Sequence, residues 1–159
     1  MKKGMVIILA IILLSFAIGI YIYPQMPEKM ASHWDTRGNI NGYLPKFWGL
    51  FLMPIISVAL LVLLILIPKI DPLKKNIEQF RKYFDNFIAI IFVFLFYIFL
   101  LTLFANLNYG FNITVMIMPA FGVLFYYAGI LIENSKRNWF IGIRTPWTLS
   151  NDKIWGKTH

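Results

Sequence analysis

Four unbroken apolar runs, each about as long as a bilayer is thick, constrain this chain more than any other feature. They cover residues 5–23, 47–67, 87–107 and 113–132, and none contains Asp, Glu, Lys, Arg or His. Each holds 19 to 21 residues. At about 1.5 Å rise per residue such a helix reaches ~30 Å, the thickness of the hydrocarbon core. A soluble fold has no use for four helices of this length without a polar face. The runs therefore predict an all-α membrane protein, a polytopic bundle of four transmembrane helices in a single integral membrane domain, 1–159. Only 14% of the residues are charged, against roughly 25% in a typical soluble domain.

The connecting segments carry the orientation signal. Lys and Arg number two before the first run, three in 24–46, five in 68–86, none in 108–112 and five in 133–159. With both termini cytoplasmic, twelve positive charges lie inside and three outside, the direction that the positive-inside rule favours. The expected location is the cell membrane, multi-pass, with 24–46 as an external loop and 133–159 as a cytoplasmic tail. Lys2 and Lys3 ahead of an apolar stretch imitate a signal peptide, but the run exceeds the h-region length and no small-x-small site follows. A retained signal anchor is expected. The net charge of +8 in so apolar a chain points to anionic lipid head groups rather than to direct nucleic-acid binding.

Within the spans, the lack of ionisable side chains speaks against a proton relay or pump and leaves a passive channel or carrier open. Ser15 with Gly19, and Gly122 with Gly129, are small-residue pairs that let helices approach closely. Packing within the chain is the simpler reading, and a homo-oligomer face the alternative. Pro54 and Pro119 predict bends, with a bend lining a cavity as the alternative. Ile77, Phe80, Phe84 and Phe87 fall on one helical face, which reads as an interfacial amphipathic turn leading into the third span.

Two polar segments are long enough to carry function. The first, 24–46, has Pro24 and Pro27 near its start and the turn dipeptides Gly38-Asn39 and Asn41-Gly42, so a compact ordered loop or short hairpin is expected. His33 and Asp35 are too few ligands for a metal site, and His33 is expected to hydrogen-bond into the loop. In the second, Trp139, Trp147 and Trp155 recur every eight residues, which suits an interfacial belt. Pro146 holds Thr145 extended, Ser150 is placed to N-cap a terminal helix carrying Ile154, Trp155 and His159, and Arg144 is suited to a two-point contact with a phosphate or carboxylate. Asn112-Ile113-Thr114 matches a glycosylation sequon but sits at a membrane edge. No cysteine is present, which excludes disulfides, thiolate zinc and cysteine nucleophiles. No metal, cofactor or catalytic residue is expected: the chain carries no phosphate loop, nucleophile elbow or paired helical carboxylates.

These two segments resemble the SdpI family of membrane proteins. Pro27 to Lys46, with His33-Trp34, Gly38, Gly42-Tyr43 and Lys46, is similar to the family's uncharacterised N-terminal domain. Asn138 to His159 carries the more specific match, Gly142-Ile-Arg-Thr-Pro-Trp-Thr-Leu149 followed by Trp155-x-x-x-His159. The resemblance implies immunity to a secreted toxic peptide and transmission of its presence to a soluble regulator. It implies ligand or partner roles for His33, Trp34, Gly38, Gly42, Tyr43 and Lys46 outside. It implies the same for Asn138, Gly142, Arg144, Thr145, Pro146, Trp147, Thr148, Trp155 and His159 inside. Family members usually continue past the last motif with further membrane helices, whereas this sequence stops at His159. A small-molecule transporter or channel component is the alternative function. A lipid-acting enzyme ranks third, because Arg144 and His159 would sit at head-group depth without a nucleophile.

Overall fold

The computed structural model describes residues 2–159. Four of its helices are long and apolar enough to cross a membrane: α1 (Lys2–Ile22), α2 (Lys46–Ile70), α4 (Arg81–Asn106) and α5 (Ile113–Asn134). Three short helices lie outside the spans: α3 (Lys74–Gln79), α6 (Pro146–Ser150) and α7 (Asp152–Thr158). Strands β1 (Lys29–Trp34) and β2 (Ile40–Pro45) form an antiparallel hairpin between α1 and α2. The expected all-α bundle is present, and the loop expected to be ordered is a small sheet.

Helix boundaries follow local chemistry. A 3-10 turn at Tyr23–Gln25, with Pro24 in its first turn, ends α1. α2 stops at Asp71, because Pro72 disfavours helical geometry in the residue before it. Asn112 opens α5 by accepting the Val115 N–H at 3.2 Å, an N-cap in the strict sense. Polar groups inside the spans turn back on their own helices: Ser15, Ser57 and Thr102 donate to the carbonyls of Ile11, Met53 and Ile98 at 2.8, 2.9 and 2.9 Å. Hydrocarbon offers no other partner.

The core is divided along the membrane normal. Near the hairpin, Met26, Met30, Leu50, Phe99 and Leu103 are packed together. Toward the other end, Ile8, Leu61, Ile77, Phe80, Phe84 and Phe92 form a second cluster. The face that reads as an interfacial turn is therefore core: Ile77, Phe80 and Phe84 are at most 2% exposed. The chain breaks at Phe80 between α3 and α4, and the break swings these rings under α1 and α2 instead of along a lipid surface.

The small-residue pairs divide. Gly19 packs in the chain, with the Phe51 ring 3.0 Å from where a Cβ would stand. Gly122 and Gly129 face open space, so packing against the described residues does not explain them. α5 leans on α4 and is otherwise peripheral, with 6% of its apolar window buried against 33% for α2. Pro54 is buried inside α2, whereas Pro119 lines an open apolar groove of about 450 Å³ between α4 and α5.

The hairpin is tied to α4 by one side chain. Asn106 accepts the Ala31 N–H at 2.7 Å through Oδ1 and donates Nδ2 to the Ala31 carbonyl at 3.0 Å. Asn106→Leu keeps the volume but leaves both Ala31 groups unpaired at a position 3% exposed. A loss of about 1–3 kcal/mol is expected, read as a lower melting temperature in detergent and faster hydrogen exchange at the Ala31 amide.

Candidate functional site at the two polar ends

At the hairpin end, a carboxylate organises the turn. Asp35 accepts the N–H groups of Arg37 and Asn39 at 2.8 Å each, and the Asn39 side chain at 3.0 Å. These bonds, the Asn39 side chain foremost, hold its carboxyl below the usual carboxylate range, since each favours the charged form. Its oxygens are thus committed to the turn, which is a physical reason for His33 and Asp35 not to share a metal. His33 Nδ1 instead bonds the Asn41 side-chain oxygen, the loop contact expected for it.

The glycines of this segment have separate reasons. Gly38 has φ +87°, and a Cβ there would stand 2.5 Å from Asn112 Oδ1. Gly42 lies opposite His33, whose Cβ is 2.8 Å from where a Gly42 Cβ would be. Two register shifts between Ala31 and Trp34 mark the same place. Lys46 pairs with Glu28 at 2.7 Å and lies over the Tyr23 ring. Tyr43 is 60% exposed, and Trp34 is half-buried. The structure gathers these six residues on the hairpin and the first residue of α2.

Asn112 and Thr114 fasten the turn to α5. Asn112 donates to the Arg37 carbonyl at 2.8 Å, and Thr114 to the Asp35 carbonyl at 3.0 Å. The sequon asparagine is thus a cap and a clasp at once. Sequence reasoning passed over it, and over Asn106 as well. The available signal was an amide at the end of α4 and another just ahead of α5, where a span reaches polar surroundings.

At the opposite end the tail is a folded unit built on Asn138. This side chain is fully buried, accepts the N–H groups of Phe140 and Ile141 at 2.9 and 2.6 Å, and donates to the carbonyls of Lys136 and Ile141. Thr145 and Thr148 form a reciprocal capping box at the start of α6, with Pro146 in its first turn. Thr145 is extended, as Pro146 dictates, at φ −115° and ψ 163°. Ser150 does not cap the terminal helix. Its hydroxyl closes α6 on the Trp147 carbonyl at 2.8 Å, and Asn151 caps α7 by accepting the Lys153 N–H.

Trp155 is 2% exposed and donates its indole N–H to the Ser135 carbonyl at 3.1 Å. His159 stacks on it, with centroids 4.0 Å apart. His159 Nε2 accepts the Ile143 N–H at 2.7 Å, which requires that nitrogen to be unprotonated and sets the ring proton on Nδ1, toward the Trp155 carbonyl 2.9 Å away. The three tryptophans therefore do not form one belt: Trp155 is core, while Trp139 and Trp147 are 49% and 70% exposed. Arg144 donates to the Trp139 carbonyl at 2.7 Å and borders an open groove of about 410 Å³ with Thr145, Pro146 and Leu149.

Contact between the tail and the 68–86 region comes from residues that the sequence did not single out. Asp71, 2% exposed, accepts the Leu73 N–H at 2.6 Å and the Trp139 N–H at 2.9 Å. Asn76 donates to the Arg137 carbonyl at 2.8 Å. Arg137 donates to the Leu149 carbonyl, and its Nε lies 2.7 Å from Asp152 Oδ1, an ionic contact out of hydrogen-bond alignment. Among the described residues no group of three His, Asp or Glu side chains is placed to hold a metal.

Both ends match known families. Residues 10–58 match a domain of unknown function, DUF1648, and residues 134–159 match the SdpI/YfhL protein family. The Immunity protein SdpI of Bacillus subtilis (strain 168) is 27% identical over 155 residues, an alignment that takes in 98% of this chain and 72% of that protein. The resemblance to the SdpI family is borne out. No solved structure matches the chain. The SdpI/YfhL match covers the Asn138 turn, the capping box and the Trp155–His159 stack, so the SdpI-type segment is the folded tail itself. The DUF1648 match runs from α1 through the hairpin into α2, the part gathered around Met26, Met30 and Leu50.

Gly142 is the left-handed turn residue of the tail unit. Its φ is +100°, and an added Cβ would lie 2.6 Å from His159 Nε2. Gly142→Ala is expected to cost about 1–3 kcal/mol locally and to open the Ile143–His159 bond. Trypsin should then cut at Lys153 and Lys157 faster, with no change in the helical content of the spans.

Proposed function

We propose that this chain is an integral membrane immunity protein of the SdpI type. The hairpin faces outward and meets a membrane-active peptide toxin or another envelope stress, and the folded tail reports it to a soluble regulator in the cytoplasm. The observation that carries this reading is the similarity to an immunity protein along 98% of the chain. It is supported by two ordered polar ends joined by spans without ionisable groups in their apolar runs. The reading assigns no catalysis. Both ring nitrogens of His159 are engaged, and the Arg144 groove has no carboxylate among its lining residues.

A transporter or channel component is the second reading, favoured by the groove at Pro119. Tyr97 is the one hydroxyl-bearing side chain in that groove, and its hydroxyl is tied to the Met116 carbonyl at 2.9 Å. An apolar groove of this kind suits a lipid tail better than an ion. Ion flux in liposomes would favour this second reading.

The orientation rests on the charge count, and reporter fusions test it. A reporter after His159 and one within 33–43 should give opposite signals, the first cytoplasmic. An external C-terminus would remove the roles given to the two ends.

The function is tested by expressing the protein in a sensitive host and challenging it with membrane-active peptides. His33→Ala with Trp34→Ala should abolish protection at unchanged membrane abundance. Arg144→Lys should lose the host response while still inserting, because an ammonium cannot reproduce the planar fork. Lys157→Ala should be nearly silent. Full activity of Arg144→Lys would reduce the tail to an interfacial anchor.

A further inference from the structure

At the hairpin end an open cleft of about 530 Å³ lies between the hairpin and the last turn of α4. Its size is that of a small-ligand site. Lys29, Ala31 and Tyr43 form one wall, and Asn106 and Asn108 the other. Asn108 has φ +61°, the one non-glycine residue with positive φ among those described. Lys29 is exposed and makes no ion pair among the described residues, and no acidic side chain lines the cleft.

The strand ladder decides what this wall offers. Lys46 donates its N–H to the Glu28 carbonyl at 2.9 Å, and Met30 is paired with Leu44. Alternate residues of an antiparallel strand point their peptide groups to opposite sides, so Lys29 and Ala31 turn theirs away from β2. Pro45, which has no N–H, stands opposite Lys29, as that register requires. At Ala31 the Asn106 amide takes both the N–H and the C=O, as a third strand would. At Lys29 no described residue takes the outward peptide groups.

We propose that this cleft takes the C-terminal end of an extended peptide. The peptide pairs with the Lys29 backbone as a short third strand and sets its carboxylate against the Lys29 ammonium. Addition to a strand edge supplies main-chain bonds without demanding one sequence. Asn106 already occupies the next pairing position, so a chain laid along the edge has to stop there, which favours a terminus over an internal stretch. The lone cation selects the carboxyl end. Ile40 and Tyr43, 45% and 60% exposed, supply an apolar wall for the side chains. A lipid head group would satisfy Lys29 but has no peptide group to pair with the edge. The inference rests on the immunity reading only for the source of the peptide.

The chain has no cysteine, so Tyr43→Cys can carry a single photo-crosslinker, with Val123→Cys on α5 as the control. The protein is held in phosphatidylcholine nanodiscs. The probes are a mixture of short synthetic peptides with free carboxyl termini and the same mixture amidated. The acid mixture should label position 43 about two- to fivefold more than the amide, the ratio expected of one exposed ion pair. Lys29→Gln should remove the difference and Lys29→Arg should keep it. In the unmodified protein the acid mixture should slow hydrogen exchange at the Lys29 amide. Equal labelling by both mixtures, indifference to Lys29→Gln, or unchanged exchange at Lys29 overturns the proposal. So do crosslinks to lipid or to a second copy in place of peptide. Cells protected without peptide capture would leave the immunity reading standing and remove this site. Capture without protection would do the reverse.

Discussion

Hydrocarbon cannot accept or donate a hydrogen bond, and the rest of this structure depends on that constraint. It forces the apolar runs into helices, each of which satisfies its own backbone. It also moves the problem to the places where the chain leaves a helix. There the backbone needs partners, and here side-chain amides and carboxylates supply many of them. Asn106 and Asn112 hold the hairpin, while Asp71, Asn76 and Asn138 hold the tail. None of the five needs a charged partner. That suits a boundary where ion pairs face both water and lipid.

The two polar ends are accordingly hydrogen-bonded to the helices rather than free of them. The hairpin is bonded to both α4 and α5, and the tail to the region between α2 and α4. α4 is the shared element, since it runs from the Phe80 break to Asn106 and packs with α1, α2 and α5. The function proposed above needs such a member between the two polar ends. α5 is a peripheral helix whose outer surface, at Gly122 and Gly129, meets none of the described residues.

Much of the candidate site was legible because its residues are constrained by backbone geometry. Pro146 announced an extended Thr145, and the turn dipeptides around Gly38 and Gly42 announced a hairpin. What misled was distance-independent reasoning about faces. Ile77, Phe80 and Phe84 share a helical face, but whether it meets lipid or protein depends on the break at Phe80. The even spacing of Trp139, Trp147 and Trp155 likewise carried no information about burial. A turn at Asn138 and two short helices separate them, so no common surface follows from an interval of eight. Ser150 lost the cap to Asn151 because its hydroxyl closes the preceding helix.

Length and hydropathy determined by themselves that this is a four-helix membrane protein, since a run of about 20 apolar residues matches the bilayer whatever its neighbours do. The charge asymmetry supports the proposed orientation in the same neighbour-independent way, because it is a sum over segments. The tertiary structure alone decided which polar residues matter. Asn106 meets Ala31, 75 residues away, and Asp71 meets Trp139 at a separation of 68. No local pattern marks such partners: an amide or a carboxylate beside a span becomes structural only when packing of the helices brings an unpaired peptide group within its reach.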